Sequence, residues 1–205
     1  MELFYSVILA TFAFLLAGCP FSVWVGKWLL HKDIRSYGDS NPGATNVFRA
    51  GSILAGALAI FLDSVKGFPF VYLARNYYFL SDLSVLAIAT CVLLGHAFSP
   101  ILKFRGGKAL AVTLGILLAI PQYDLLLTLI IFIFIAFLLI KSDSWRVIFG
   151  SVCSCIYFVI TTGISFTSML ALCILAIWTL KQFQDLSNIP RLNGAIVSWL
   201  RSRRT

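Results

Sequence analysis

Charge is scarce in this sequence. Only 12% of its residues are Asp, Glu, Lys or Arg, against the roughly 25% that soluble domains carry. With 60% apolar residues and a mean hydropathy of +0.95, a soluble helical bundle is excluded and lipid is the solvent. Other absences narrow the reading further. The start, Met1-Glu2-Leu3-Phe4, has no positive region of the kind that opens a signal peptide. Leu16-Ala17-Gly18-Cys19 therefore reads as part of a retained helix and not as a cleavage site. Basic residues are not interleaved with aromatics outside the apolar runs, which argues against a nucleic-acid partner despite the net charge of +8. The five cysteines lie inside apolar stretches without metal-ligand spacing to a histidine, so they read as small hydrophobes and no metal is expected.

What is present is a series of apolar runs. Spanning helices need about 20 such residues, and the segments 3–25, 52–74, 83–102, 108–121, 124–140, 147–164 and 166–181 meet or approach that length. The expected fold is an all-α integral membrane protein with seven transmembrane helices, one domain over residues 1–205. With the N-terminus outside, the inside segments hold 14 of the 16 Lys and Arg. Cationic loops stay at the cytoplasmic face, so the C-terminus is placed in the cytoplasm. The tail Arg201-Ser202-Arg203-Arg204 then suits contact with anionic membrane lipid.

The inside segments also carry the unusual polar residues. Ser36 to Arg49 contains Gly38, Ser40, Asn41, Pro42, Gly43, Thr45 and Asn46. Such a loop reads either as an ordinary polar turn or as a phosphate cradle built from backbone N–H groups, with Arg49 adding a bidentate contact. Gly95-His96-Ala97-Phe98 is followed by Phe104-Arg105-Gly106-Gly107-Lys108. A Gly-Gly-Lys step opening a helix offers amides, a dipole and an ammonium to an anion; the competing reading makes Lys108 an interfacial anchor and His96 a packing residue. It is not a P-loop, so nucleotide binding has no support. Asp63 and Lys66 share a helix face inside the second run, as a structural ion pair or as substrate contacts. Asp185 to Arg191, including Asn188, follows the last run. Cations, amide-rich loops and Asn/Thr donors beside one face of the bilayer suit a phosphorylated, partly lipid-soluble substrate.

In sequence order, Gly38-x-x-Asn41-Pro42-Gly43-Ala44-Thr45-Asn46-x-x-Arg49, Asp63-x-x-Lys66-Gly67, Gly95-His96-x-Phe98, Phe104-x-Gly106-Gly107-Lys108 and Asn188-Ile189-x-Arg191-Leu192 resemble the bacterial acyl-phosphate:glycerol-3-phosphate acyltransferases, the PlsY family. The resemblance is collinear over nearly the whole chain. It implies a monomeric seven-helix enzyme of the bacterial inner membrane whose active site faces the cytoplasm. It also implies an acyl-phosphate donor, a glycerol 3-phosphate acceptor and no cofactor. By similarity, Arg49, Lys108, Ser40, Thr45 and the loop glycines Gly38, Gly43, Gly106 and Gly107 hold phosphate. Asn46, Asn188 and His96 position glycerol 3-phosphate, with Asn41, Arg191, Asp63 and Lys66 among the substrate-binding set.

The pattern departs from the family at two places. Asp39 stands where the family usually has a serine, and Asp185 where it tends to have a histidine. A carboxylate near two phosphates repels them unless it turns away or pairs with Arg35 or Arg49. A divergent paralogue with another acceptor is the alternative within the enzyme class. A small transporter of a phosphorylated metabolite is the alternative outside it, but would favour internal repeats and a helix broken at the midplane; no repeat is evident.

Overall fold

The computed structural model describes residues 1–187 together with 190 and 193, and every regular element among them is helical. The order is α1 (Glu2–Ala17), α2 (Phe21–Leu29), a 3-10 turn (Ile34–Ser36), α3 (Ala44–Arg49), α4 (Ile53–Val65), α5 (Pro69–Tyr72) continuing as a π-helical turn (Leu73–Tyr77), α6 (Asp82–Ala97), a 3-10 turn (Pro100–Leu102), α7 (Leu110–Ala119), α8 (Tyr123–Leu139), α9 (Asp143–Thr162), α10 (Phe166–Gln182) and a last 3-10 turn (Asp185–Ser187).

Proline explains most differences from the expected runs. The run 3–25 is two helices, because Pro20 has no N–H to donate and disfavours a helical conformation in the residue before it. The run 52–74 starts at Ser52, whose hydroxyl caps the N–H of Ala55 at 3.1 Å, and is interrupted before Pro69. The helix in 83–102 stops at Ala97, and Pro100 begins a separate turn. The run 108–121 shortens to Leu110–Ala119, since Ala109 sits at φ +64 and cannot belong to the helix.

Among the described residues, four helical segments are long and apolar enough to cross a membrane: Glu2–Leu29, Ile53–Tyr77, Asp82–Leu102 and Asp143–Thr162. Leu110–Ala119, Tyr123–Leu139 and Phe166–Gln182 are shorter apolar helices. Large apolar side chains point outward, with Ile53, Leu54 and Ile160 each more than three-quarters exposed, while Ser22, Asp63, Lys66, Ser99 and Thr113 are buried. That inversion suits lipid, where helices must satisfy polar groups internally.

The chain forms two compact units, Met1–Gln122 and Tyr123–Thr205. In the first, α1 packs on α6, and α4 packs on α2, α3 and α7. Small residues let these backbones close up: a side chain on Gly95 would strike the Phe14 backbone, and one on Gly115 the Ser64 carbonyl. In the second unit α8 packs on α9 and α9 on α10, with Gly150 against Ile133. The Ser144 hydroxyl donates to the Asp185 carboxylate at 2.9 Å within this unit.

Candidate active site

The segment between α2 and α4 folds tightly around Asn46. The Asn46 side chain is buried, and its amide donates to the Asn41 carbonyl and to an Asp39 carboxylate oxygen, both at 2.9 Å. Its own oxygen accepts from the Arg49 guanidinium at 3.1 Å. Gly38 makes this possible: it sits at φ +57, and a Cβ there would run into Arg49 and Asn46. Ser40, also left-handed at φ +59, closes the Tyr37–Ser40 turn. Gly43 precedes the first residue of α3, and Thr45 lies exposed on it. The hydroxyls of Ser40 and Thr45 have no hydrogen-bond partner among the described residues.

The Gly-Gly-Lys step runs beneath the end of α6. The Gly107 N–H donates to the His96 carbonyl at 3.1 Å, and a Cβ on Gly107 would meet the His96 ring. Gly106 is as crowded, facing the backbone of His96 and Ala97. These two glycines let the chain hug a buried histidine and deliver Lys108, half-buried, to the loop described above.

The two segments meet at Asp39. One of its carboxylate oxygens lies 2.8 Å from the Lys108 ammonium, and the other 3.8 Å from the Arg49 guanidinium and 3.3 Å from the Asn41 N–H. Burial opposes the charge on Asp39. The ammonium of Lys108, aided by the Asn41 N–H and the Asn46 amide, outweighs it and holds the carboxyl below its usual value of 3.8. Arg35 is not the partner that its nearness in sequence suggested. It binds Asp33 through two guanidinium nitrogens at 2.9 and 2.8 Å, pulling that carboxyl down to about 2. Two cations, a backbone N–H and a side-chain amide thus converge on one anionic group from segments about 60 residues apart.

Asp63 and Lys66 form a 2.7 Å ion pair with side chains only 3% and 2% exposed. The Ser22 hydroxyl donates to Asp63 at 2.5 Å, and the Lys66 ammonium donates to the Cys19 carbonyl at 2.7 Å. Ser99 donates to the neighbouring Gly18 carbonyl at 2.5 Å. The pair therefore ties α4 to the break between α1 and α2, where backbone carbonyls need donors. Asp63 and Lys66 also line a small cavity shared with Pro42, His96, Gly106 and Gly107, so the third polar cluster lies beside the other two. Ser22 was not singled out from the sequence, although Pro20 inside an apolar run announces carbonyls in want of donors. Asn188 and Arg191 lie outside the described residues.

Residues 7–193 match the family described as glycerol-3-phosphate acyltransferase. The chain belongs to this family. A glycerol-3-phosphate acyltransferase of Bordetella pertussis is 34% identical over 196 residues, covering 93% of this chain and 90% of the relative. One from Wolbachia pipientis is 40% identical over 144 residues, 70% of this chain and 72% of the relative. Among solved structures, PlsY (YgiH), an integral membrane glycerol 3-phosphate acyltransferase in its glycerol 3-phosphate form, superposes with a TM-score of 0.78 at 25% identity. That match covers 95% of this chain and 98% of the other. A lysophosphatidic acid form of PlsY gives a TM-score of 0.71 at 26% identity, covering 89% and 90%. As a member of the glycerol-3-phosphate acyltransferase family, the chain is a multi-pass membrane enzyme of the acyltransferase class.

Proposed function

We propose that the protein transfers an acyl group from acyl phosphate to glycerol 3-phosphate, giving 1-acylglycerol 3-phosphate and inorganic phosphate. The observation that carries this reading is the convergence of Lys108, Arg49 and the Asn46 amide on a single carboxylate. A phosphate has the same charge sign and the same appetite for donors, so it can take over those partners. The 1-hydroxyl of glycerol 3-phosphate attacks the acyl carbonyl, a C–O ester bond forms and the bond to the phosphate oxygen breaks. The hydroxyl proton leaves on the departing phosphate, so no protein base is required. The site's contribution is to hold two anions close together and in register.

In this reading Arg49, Lys108, Ser40, Thr45 and the glycines bind phosphate, and His96, Asn46 and Asn188 orient the acceptor. Asp63 and Lys66 keep the α1–α2 break rigid beside the site. The acyl chain lies in an open apolar groove of about 490 Å³ lined by Ile60, Phe61, Ser64, Val65, Leu114 and Leu118, between α4 and α7. Leu114 and Leu118 follow Lys108 along the same segment, so a chain in that groove runs away from the phosphate. We assign one acyltransferase domain with seven crossings, the N-terminus outside and the site at the cytoplasmic face of a bacterial inner membrane, acting as a monomer without a cofactor. The strong bias of Lys and Arg to one set of loops supports that orientation.

Purified protein given palmitoyl phosphate and radiolabelled glycerol 3-phosphate should form labelled lysophosphatidic acid, and palmitoyl-CoA should not replace the donor. No product from palmitoyl phosphate would overturn the activity; product from the CoA donor alone would overturn the donor.

Asp39 makes a further expectation specific to this chain. Its carboxylate sits where substrate phosphate must bind, so substrate has to displace it. Asp39→Ser should lower the KM for glycerol 3-phosphate by about tenfold, corresponding to roughly one charge-assisted contact. The carboxyl is depressed, so the Lys108 pair is fully present above the ordinary carboxylate value and is lost only as pH falls through the still lower folded one. The KM ratio between wild type and variant should therefore stay constant as the assay is taken from about pH 9 to about pH 7.5, above both the carboxylate range and the second ionisation of the substrate phosphate at about 6. A ratio that collapses within that window would show that the carboxylate is not the competitor.

A further inference from the structure

At the end of α2 the chain doubles back. His31 adopts φ +51, the Lys32 N–H donates to the Gly26 carbonyl at 3.1 Å, and Ile34 is fully buried against Gly26. A Cβ on Gly26 would collide with the Ile34 side chain, so this glycine sets how closely the returning strand of chain approaches α2. The result is an open pocket of about 470 Å³ lined by Val23, Lys27, His31, Lys32, Asp33 and Arg35.

Its charges are unevenly committed. Arg35 is held by Asp33, and the Lys32 ammonium donates to the Ala50 carbonyl at 2.7 Å. Lys27 and His31 have no hydrogen-bond or ion-pair partner among the described residues. Three permanent cations thus face one carboxylate, in a pocket with an apolar wall at Val23.

The position of the pocket identifies its occupant. It lies at the end of the apolar segment Glu2–Leu29. Beside it, the rings of Trp24 and Trp28 stack at 5.6 Å, with Trp28 64% and Leu29 56% exposed. An exposed tryptophan at the end of an apolar helix marks the headgroup level of a bilayer, and basic pockets at that level take anionic headgroups. We infer that the Lys27–His31–Arg35 pocket binds the phosphate headgroup of an anionic glycerophospholipid from the surrounding leaflet, at a site separate from the one around Asp39. Val23, Trp28 and Leu29 contact the first carbons of its chains, which is why a lipid fits better than a soluble phosphate.

Native mass spectrometry of the full chain in detergent, titrated with phosphatidylglycerol and with phosphatidylcholine of matched chains, tests this directly. Wild type should retain phosphatidylglycerol about fivefold more than phosphatidylcholine, as expected for one uncommitted ammonium, that of Lys27, at about 1 kcal/mol at an interface. K27Q/H31Q should lose most of that preference. D33N keeps an oxygen to cap the 3-10 turn but releases Arg35, so it should retain more phosphatidylglycerol than wild type, a gain that a misfolded variant would not produce. Equal retention of the two lipids by wild type, an unchanged preference in K27Q/H31Q, or no gain in D33N would each overturn the assignment. So would displacement of the lipid by millimolar inorganic phosphate, which would make the pocket a reader of soluble anions.

Discussion

Replacing Lys108 with alanine is expected to lower acyl transfer from palmitoyl phosphate by about 100- to 1000-fold, the range found when one preorganised stabilising donor is removed from a reacting centre. The loss should appear in kcat as well as KM, because the ammonium serves both the bound phosphate and the charge that builds on it as it departs. Lys108 lies outside the helices, between Gly107 and the start of α7, with its side chain 19% exposed and its ammonium on Asp39. Truncation removes the charge without opening a helix interface, so expression and thermal unfolding should stay close to wild type. Arg49→Ala should behave in the same direction, with a smaller effect on kcat if Arg49 serves binding alone. Its guanidinium is more exposed, at 42%, and stands farther from the carboxylate. Lys108→Arg separates charge from geometry: partial recovery means that a cation at this place is what matters. Full turnover in Lys108→Ala would show that the phosphates are held elsewhere.

The residues around Asp39 were legible in the sequence because they are rare for their setting. Glycine pairs, Asn-Pro-Gly and lone cations stand out against apolar runs, and the resemblance carried by those motifs joined them before any geometry was known. Their mutual arrangement was less accessible. That Asp39 would face Lys108, and that Arg35 would turn to Asp33, depends on the 3-10 turn Ile34–Ser36: Asp33 caps the turn through the Arg35 N–H and then takes the guanidinium as well. Nothing in the spacing of Asp33, Arg35 and Asp39 decides between those pairings. Helix existence was read well from hydropathy, and helix continuity was not. Pro20, Pro69 and Pro100 each sit inside or at the end of a run whose average apolarity hides them, although the physics of the missing N–H predicts a break at each. The basic pocket beside α2 was invisible for another reason. Lys27, Lys32 and Arg35 entered the reading as inside charges that fix orientation, Arg35 also as a possible partner of Asp39, and His31 did not enter it; it takes the reversal at His31 to bring Lys27 and Arg35 to one pocket.

The helix break at Gly18–Pro20 also sets the most severe stability change expected in this chain. Asp63→Ala should destabilise the fold by about 3–5 kcal/mol, the cost of leaving one member of a buried ion pair without the other. Lys66 would keep the Cys19 carbonyl but lose the carboxylate 2.7 Å away, with its side chain only 2% exposed. The Ser22 hydroxyl would lose its acceptor in the same step. Removing both charges is a different experiment. Asp63→Leu with Lys66→Met replaces the pair by apolar groups of similar size, and such exchanges are often neutral. Ser22 loses its acceptor in both variants, so the cost particular to the double one is the Cys19 carbonyl without its ammonium donor, at about 1–3 kcal/mol for a buried acceptor left unmade. The double variant should therefore unfold at a higher temperature in detergent than Asp63→Ala, although it carries more mutations. Lysophosphatidic acid formation should still fall in the double variant, since α2 leads into the loop that holds Gly38, Asp39 and Asn46, and a slack break lets that loop drift from Lys108. If Asp63→Ala unfolds at the wild-type temperature, the pair is not holding α4 to the break. If the double variant is as unstable as the single one, the energy resides in the hydrogen bonds to Ser22 and Cys19 and not in the uncompensated charge.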